Sequence, residues 1–268
     1  MRIRCLGDMN EILGSINQSL DLFIFMFIRI TALIVSSPIF GRRTLPNVLK
    51  IGLCLFITYI VFASYTPKIA PEYNGVLGFA MICLKEMLFG LVLGYVTTLF
   101  FSLVQTAGQV MDMQMGFGMV NVFDVQSNIS VPVTGNLLNI VLLITFLGVN
   151  GHLKLVYIMT RTFTQIPVGA VTLNPMIGLM ALDVFILAFV LAINVAMPLI
   201  ASGLLGEVVL GFIVRAIPQM NVFVVGIPLK IALGFMILLL ILPVFVGFTG
   251  AIFDRMYESL DKMIMGLA

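Results

Sequence analysis

Six ionisable residues stand inside stretches that are otherwise apolar: Arg29, Lys85, Glu86, Asp183, Glu207 and Lys230. A charge in such surroundings is costly, so each marks either a proton or ion path or a bond between helices. A relay would repeat carboxylates along one helical face, and these do not. Lys85 and Glu86 are neighbours, hence about 100° apart on a helix, and each needs a partner elsewhere in the fold. The pattern favours structural pairing over ion coupling. Hydrolytic chemistry finds no footing. There is no Gly-x-Ser-x-Gly turn, no glycine-rich phosphate loop ending in Gly-Lys-Ser or Gly-Lys-Thr, and no clear serine or cysteine partner for His152, the single histidine. That count also excludes a multi-histidine metal site within the chain. Cys5, Cys54 and Cys83 are odd in number and far apart, in or beside apolar runs, as buried small hydrophobes would be. The expectation is a protein that is not an enzyme and carries no cofactor or metal.

A second unusual stretch is Gln105–Gly135, too polar and glycine-rich for a plain membrane span. It holds Gly108, Gln109, Asp112, Gln114, Gly116, Gly118 and Asn121, interleaved with Met111, Met113, Met115, Phe117 and Met119. Methionine is unbranched and polarisable and adapts to irregular surfaces, so a glycine-flexed, Met-rich loop could form a deformable hydrophobic seal. In a chain of eighteen methionines the same residues could equally be ordinary packing. The alternation of Met111, Met113 and Met115 is not helical spacing, which favours a loop.

The elements that must position these residues are helices in lipid. Of 268 residues, 61% are hydrophobic and 10% charged. A soluble domain carries about 25% charged residues and could not hide so much apolar surface. A net charge of +2 without a basic stripe gives no case for nucleic acid. Apolar stretches fall at about Leu20–Ser37, Val48–Ala63, Gly75–Val104, Asn136–Val149, Met176–Leu205 and Val222–Ile252. None alternates in polarity as a membrane strand would, and backbone groups in hydrocarbon must be satisfied internally, so each is read as helix. Their lengths are uneven against the roughly 20 residues that a span needs. That unevenness suits bent hairpins packed on other protein better than six plain spans. Pro198 and Pro243, inside apolar runs, should kink or break their helices. The run Leu22–Val35, interrupted by Arg29, is read as a retained first membrane helix and not as a cleaved signal. Basic residues divide seven to five between the two sides of a six-span arrangement, a slim preference for cytoplasmic termini. Gly90 and Gly94 form a small-xxx-small pair that allows close helix approach.

The motifs also resemble a known family. Gly108-Gln109 with Met113-Gln114-Met115-Gly116, then Val122-Phe123-Asp124 and Ser130-Val131-Pro132-Val133-x-Gly135, is similar to the central loop of the FliR/SctT family. Asn150-Gly151-His152 looks like that family's Asn-Gly-His turn. The block Arg215-Ala216-Ile217-Pro218-Gln219-Met220-Asn221-Val222-Phe223, leading into Gly226-Ile227-Pro228-Leu229-Lys230-Ile231, matches it most closely. Arg29, Pro38 and Pro46 sit where the first hairpin has its marks. Val125 follows Asp124 where many relatives have proline, which leaves the detailed turn there open. The Ser-Val-Pro-Val-x-Gly and Asn-Gly-His stretches resemble the flagellar branch more than the virulence type III secretion branch, which stands as the alternative.

The resemblance implies an all-α, membrane-associated fold of bent helical hairpins with about six apolar segments, joined with partner subunits in a helical pore complex. It implies one export-gate domain over residues 1–268: a first helical part over 1–104, a Met/Gly-rich plug loop over 105–135 and a second helical part over 136–268. The implied function is a structural, pore-forming subunit of the flagellar type III export gate in the inner membrane, at the flagellar basal body. Its implied partners are FliP and FliQ, with FlhB nearby, unfolded flagellar export substrates and lipid. Gln109, Met111, Met113, Met115, Gly116, Phe117, Gly118 and Met119 are the expected plug. Arg29, Lys85, Glu86, Gly90, Gly94, Glu207, Arg215, Pro218, Gln219, Asn221, Phe223, Pro228 and Lys230 are the expected packing and pairing residues. An ion-coupled transporter with broken helices at the midplane is the remaining alternative, although no matching sequence links the two halves.

Overall fold

The computed structural model describes residues 2–42, 44–65, 70–117, 132–172, 174–217 and 222–268, with the backbone alone for 2–16, 222 and 223. The described chain is all-α. Its helices are α1 (Arg2–Ser36), α2 (Asn47–Ser64), α3 (Gly75–Met115), α4 (Val133–Gly148), α5 (Gly151–Gln165), α6 (Met176–Ala216) and α7 (Val222–Leu267). Five are long and apolar enough to cross a membrane, or six if α4 and α5 count together as one span.

Three features differ from the sequence expectation. The loop expected over Gln105–Gly135 is narrower, because α3 continues unbroken to Met115 and α4 begins at Val133. Residues 118–131 lie outside the described residues. The helix wins through Met115 because each added residue brings a backbone hydrogen bond in surroundings where an unpaired group is costly. Pro198 in α6 and Pro243 in α7 lie inside helices that run on past them, so of the expected kink or break the break does not occur. Lastly, α5 is an element that apolar length does not disclose, since His152, Lys154, Thr160 and Arg161 dilute its hydrophobicity. Its apolar residues recur with helical period, and Leu155, Met159, Phe163 and Ile166 are buried.

The chain forms two compact units. One comprises residues 1–98, 152–182 and 257–268, and the other residues 99–151 and 183–256. In the first unit α1 and α2 touch through an edge-to-face pair, Phe23 and Phe62, with ring centroids 5.7 Å apart. α1 and α3 approach to backbone contact at Gly90, where a Cβ would lie 2.4 Å from the Arg29 carbonyl oxygen and 2.7 Å from the Ala32 Cβ. At Gly94 a Cβ would fall on the Ser36 side chain. Leu22, Met26, Ile30, Phe89, Leu93 and Val96 are buried. Just before α3, the Tyr73 hydroxyl donates to the Asp21 carboxylate at 2.6 Å. That bond, above all, raises the Tyr73 pKa above its ordinary value of 10.

In the second unit the seam between α3 and α4 is tighter still. A Cβ on Gly108 would sit 2.1 Å from the Gly135 Cα, so Gly108 has no room for a side chain, while a Cβ on Gly135 would lie a tight 3.1 Å from the Gln105 carbonyl oxygen. Phe146 meets Phe101 and Phe253 edge-to-face at 5.3 and 5.1 Å. Most of α6 and α7, by contrast, stays uncovered. Only 17% of the most apolar window of each is buried.

Candidate functional site

The C-terminal end of α3 carries the expected plug residues, and its helical geometry sorts them. Met111 and Met115 stand four residues apart on one face and are buried. Met113, between them, points the other way and is 74% exposed. Gln109 is exposed, and Gly116 and Phe117 are partly buried. Met111 and Met115 therefore face the packed interior of the second unit, away from Met113. Met115 lies over Gly234 of α7, where a Cβ would meet its Sδ at 2.5 Å. Gln114 lies over Gly203 of α6. Phe117 meets Phe235 edge-to-face at 5.6 Å. Gly116 ends the helix with φ +86, a left-handed conformation that glycine adopts without strain. Beside this end lies a cavity of about 290 Å³, lined by Gln114, Met115, Gly203, Gly206, Lys230 and Gly234 among others. Gly118 and Met119 lie outside the described residues.

The intramembrane charges divide into two kinds of pair. In the first unit Arg29 Nε donates to Glu86 Oε2 at 2.5 Å, with the side chains 1% and 0% exposed. Arg29 Nη1 donates to the Ile166 carbonyl at 3.0 Å and to the Thr162 carbonyl at 3.5 Å, satisfying the end of α5. The guanidinium lies between the Phe89 and Phe163 rings, 4.4 and 4.6 Å from their centroids. Glu86 Oε1 accepts the Gly169 N–H at 2.8 Å. Gly169 has φ +83, and a Cβ there would meet Pro71 at 2.8 Å, so only glycine presents its N–H in this way. In the second unit Lys230 Nζ bonds Glu207 Oε1 at 2.7 Å, and those side chains are 29% and 48% exposed.

Of the expected packing set, Arg29 and Glu86 bond each other and Gly90 and Gly94 lie against α1, all four buried inside the first unit. Lys85 is half-buried, Asp183 is exposed, and Arg215 and Pro228 are exposed. Pro218, Gln219 and Asn221 lie outside the described residues, as does the side chain of Phe223. Sequence reasoning missed the role of Asp112, a buried carboxylate that accepts from Thr134 on α4. Its signal was an acid within a Met-rich stretch followed by a threonine just after a proline. Also missed were the carbonyls of Thr162 and Ile166, which no side-chain pattern announces. Among the described residues, no group of three or more His, Cys, Asp and Glu side chains gathers to hold a metal ion.

Residues 20–256 match the family described as bacterial export proteins, family 1. The flagellar biosynthetic protein FliR of Bacillus subtilis is 32% identical over 254 residues, 92% of this chain and 97% of that protein. The FliR of Escherichia coli is 30% identical over 249 residues, covering 92% and 94%. The FliR of Aquifex aeolicus is 30% identical over 222 residues, covering 81% and 83%. With the all-α membrane fold and nearly the whole length matched, the chain belongs to the FliR family of bacterial export proteins.

Proposed function

We propose that the chain is a structural, pore-forming subunit of the flagellar type III export gate, and not an enzyme. In this reading it lies in the inner membrane at the flagellar basal body. It joins FliP and FliQ in one hetero-oligomer with FlhB beside it, and it helps unfolded flagellar subunits to cross. The observation that carries the reading is the exposed apolar surface of α6 and α7. Helices of 41 and 46 residues are about 60–70 Å long, roughly twice the hydrocarbon thickness of a bilayer. Apolar side chains stay open over much of α6 and over α7 as far as about residue 251, with Leu204, Leu205, Phe212, Met236, Leu239 and Val244 exposed. Lipid covers about half of such a helix, so partner protein must cover the rest.

The seal of the pore is assigned to the end of α3 and the residues just beyond it: Met113, Phe117 and Met119, with Gly116 and Gly118 as hinges. Apolar side chains at a constriction expel water and so block ions. Deleting Met111–Gly118 and measuring membrane conductance in cells tests the seal, but it also removes buried Met111 and Met115. The cleaner variant replaces Met113 and Phe117 together with glycine. Raised conductance is expected, and unchanged conductance with intact complex overturns the seal. Purification in mild detergent tests the assembly. A large complex with two other small membrane proteins is expected, and a lone monomer overturns it.

A further inference from the structure

The start of α4 has an unusual cap. Pro132 occupies the N-cap position and supplies no side-chain hydrogen bond. Its ring also offers no oxygen, so the first N–H groups of the helix need a partner from elsewhere. Asp112, in the last turns of α3, provides it. Its Oδ1 and Oδ2 lie 3.2 and 3.3 Å from the Thr134 backbone nitrogen, and Oδ1 also accepts the Thr134 hydroxyl. Asp112 is 7% exposed. Thus a carboxylate twenty-two residues away in sequence does what an N-cap side chain does locally, with the helix dipole adding to it. The seam continues one turn earlier along α3. Gly108 touches the Gly135 backbone, and Gln105 Nε2 donates to Asn136 Oδ1 at 3.4 Å. Positions 105, 108 and 112 share one helical face, so the whole seam is one strip.

We propose that Asp112 is a positioning residue of the seal: by capping α4 from α3 it sets the base from which Met113 and Phe117 are presented. This rests on the reading of that region as the plug. The carboxylate itself touches no exported chain. It acts by holding the last turn of α3 against the first turn of α4, the two described ends that flank residues 118–131. With the cap lost, Gly108 and Gly135 keep the helices close, but the last turn of α3 loses its bond to the first turn of α4 and is held by its packing on α6 and α7.

The test uses the assembled gate in cells, with two readouts: ion leak across the membrane and the amount of intact complex recovered in detergent. Asp112→Ala should raise the leak about fivefold, the scale of one lost cap, with the complex retained. Asp112→Asn keeps an acceptor and should raise it about twofold at most. Thr134→Val removes the hydroxyl partner and should lie between. Adding Thr134→Val to Asp112→Ala should add little, since both break the same contact. Wild-type leak in Asp112→Ala, with intact complex, overturns the proposal. If the Met113→Gly, Phe117→Gly variant still leaks in that case, the plug reading survives alone. If neither leaks, the plug reading fails and the proposal falls with it. Should Asp112→Ala abolish assembly, the two milder variants decide, and wild-type leak in both overturns the proposal.

Discussion

Arg29–Glu86 and Lys230–Glu207 look alike in the sequence: each joins opposite charges placed in apolar runs. In the structure they are different devices. The first is sealed inside one unit, with two aromatic rings, two carbonyls and one backbone N–H around it, and with Arg29 Nη2 left without a hydrogen bond. The second is partly exposed, on helices whose apolar faces are uncovered. A buried charge whose counter-ion lies within the same chain is scaffold. A charge pair left open on an unpartnered hairpin is part of a surface that another protein or lipid completes. Membrane burial of ionisable groups therefore does not by itself mark an ion path.

The largest effect should come from breaking the sealed pair. Glu86→Leu leaves the Arg29 cation buried without its counter-ion and strips the Gly169 N–H of its acceptor. A loss of about 3–5 kcal/mol is expected, enough to remove the folded protein from the membrane. Glu86→Gln keeps an acceptor for Gly169 and should cost less. Thermal unfolding of the purified complex followed by circular dichroism measures both, since the chain lacks tryptophan. Equal stability of Glu86→Leu and wild type would show that the pair is not scaffold.

Next in size is the helix contact that brings this pair together. Gly90→Ala places a Cβ 2.4 Å from the backbone oxygen of Arg29, and backbone cannot swing aside as a side chain can. About 2 kcal/mol of overpacking is expected. Gly247→Ala in α7 meets nothing within 4 Å and should be neutral or slightly stabilising in the same assay. If both substitutions behaved alike, the contrast between a packed first unit and an open hairpin would be lost.

Lys230→Met should change the stability of the chain by less than about 1 kcal/mol, because its pair is partly solvated. The effect belongs in assembly, read as the amount of complex recovered. A collapse of chain stability would place Lys230–Glu207 with the scaffold after all.

The same contrast explains how much was legible in the sequence. Apolar length and the lack of alternation disclose the helices, since period and composition are local properties. The FliR-like blocks disclose the family. Glu86 needing a partner is legible; that the partner is Arg29 is not, because fifty-seven residues separate them and only the fold brings them together. Alternation along the chain suggests a loop, and with it a seal that includes Met111 and Met115. On a helix the same alternation puts the two on one buried face and Met113 opposite. The small-xxx-small spacing of Gly90 and Gly94 announces a close approach without saying that α1, in the same chain, fills it.

The smallest effect concerns a bond at the edge of a span, between the sealed and the open kind. The Tyr73 hydroxyl donates to Asp21, and the neutral phenol is the form that can donate. Ionising it would remove the donor and set two anions together, so its folded pKa lies above the ordinary value of 10. A raised pKa fixes the sign of the linkage. The stabilisation is fully present below the ordinary tyrosine pKa and is lost as pH rises through the raised one. Tyr73→Phe should therefore be slightly less stable than wild type at neutral pH. The difference should shrink towards zero between about pH 10 and pH 12, as the wild-type phenol ionises. Edge-to-face contacts of the ring with Phe25 and Phe79 survive the substitution, so the loss of the hydroxyl is isolated from the loss of packing. A difference that stayed constant as the phenol ionises would mean that the bond to Asp21 contributes nothing to the stability of this edge of the first unit.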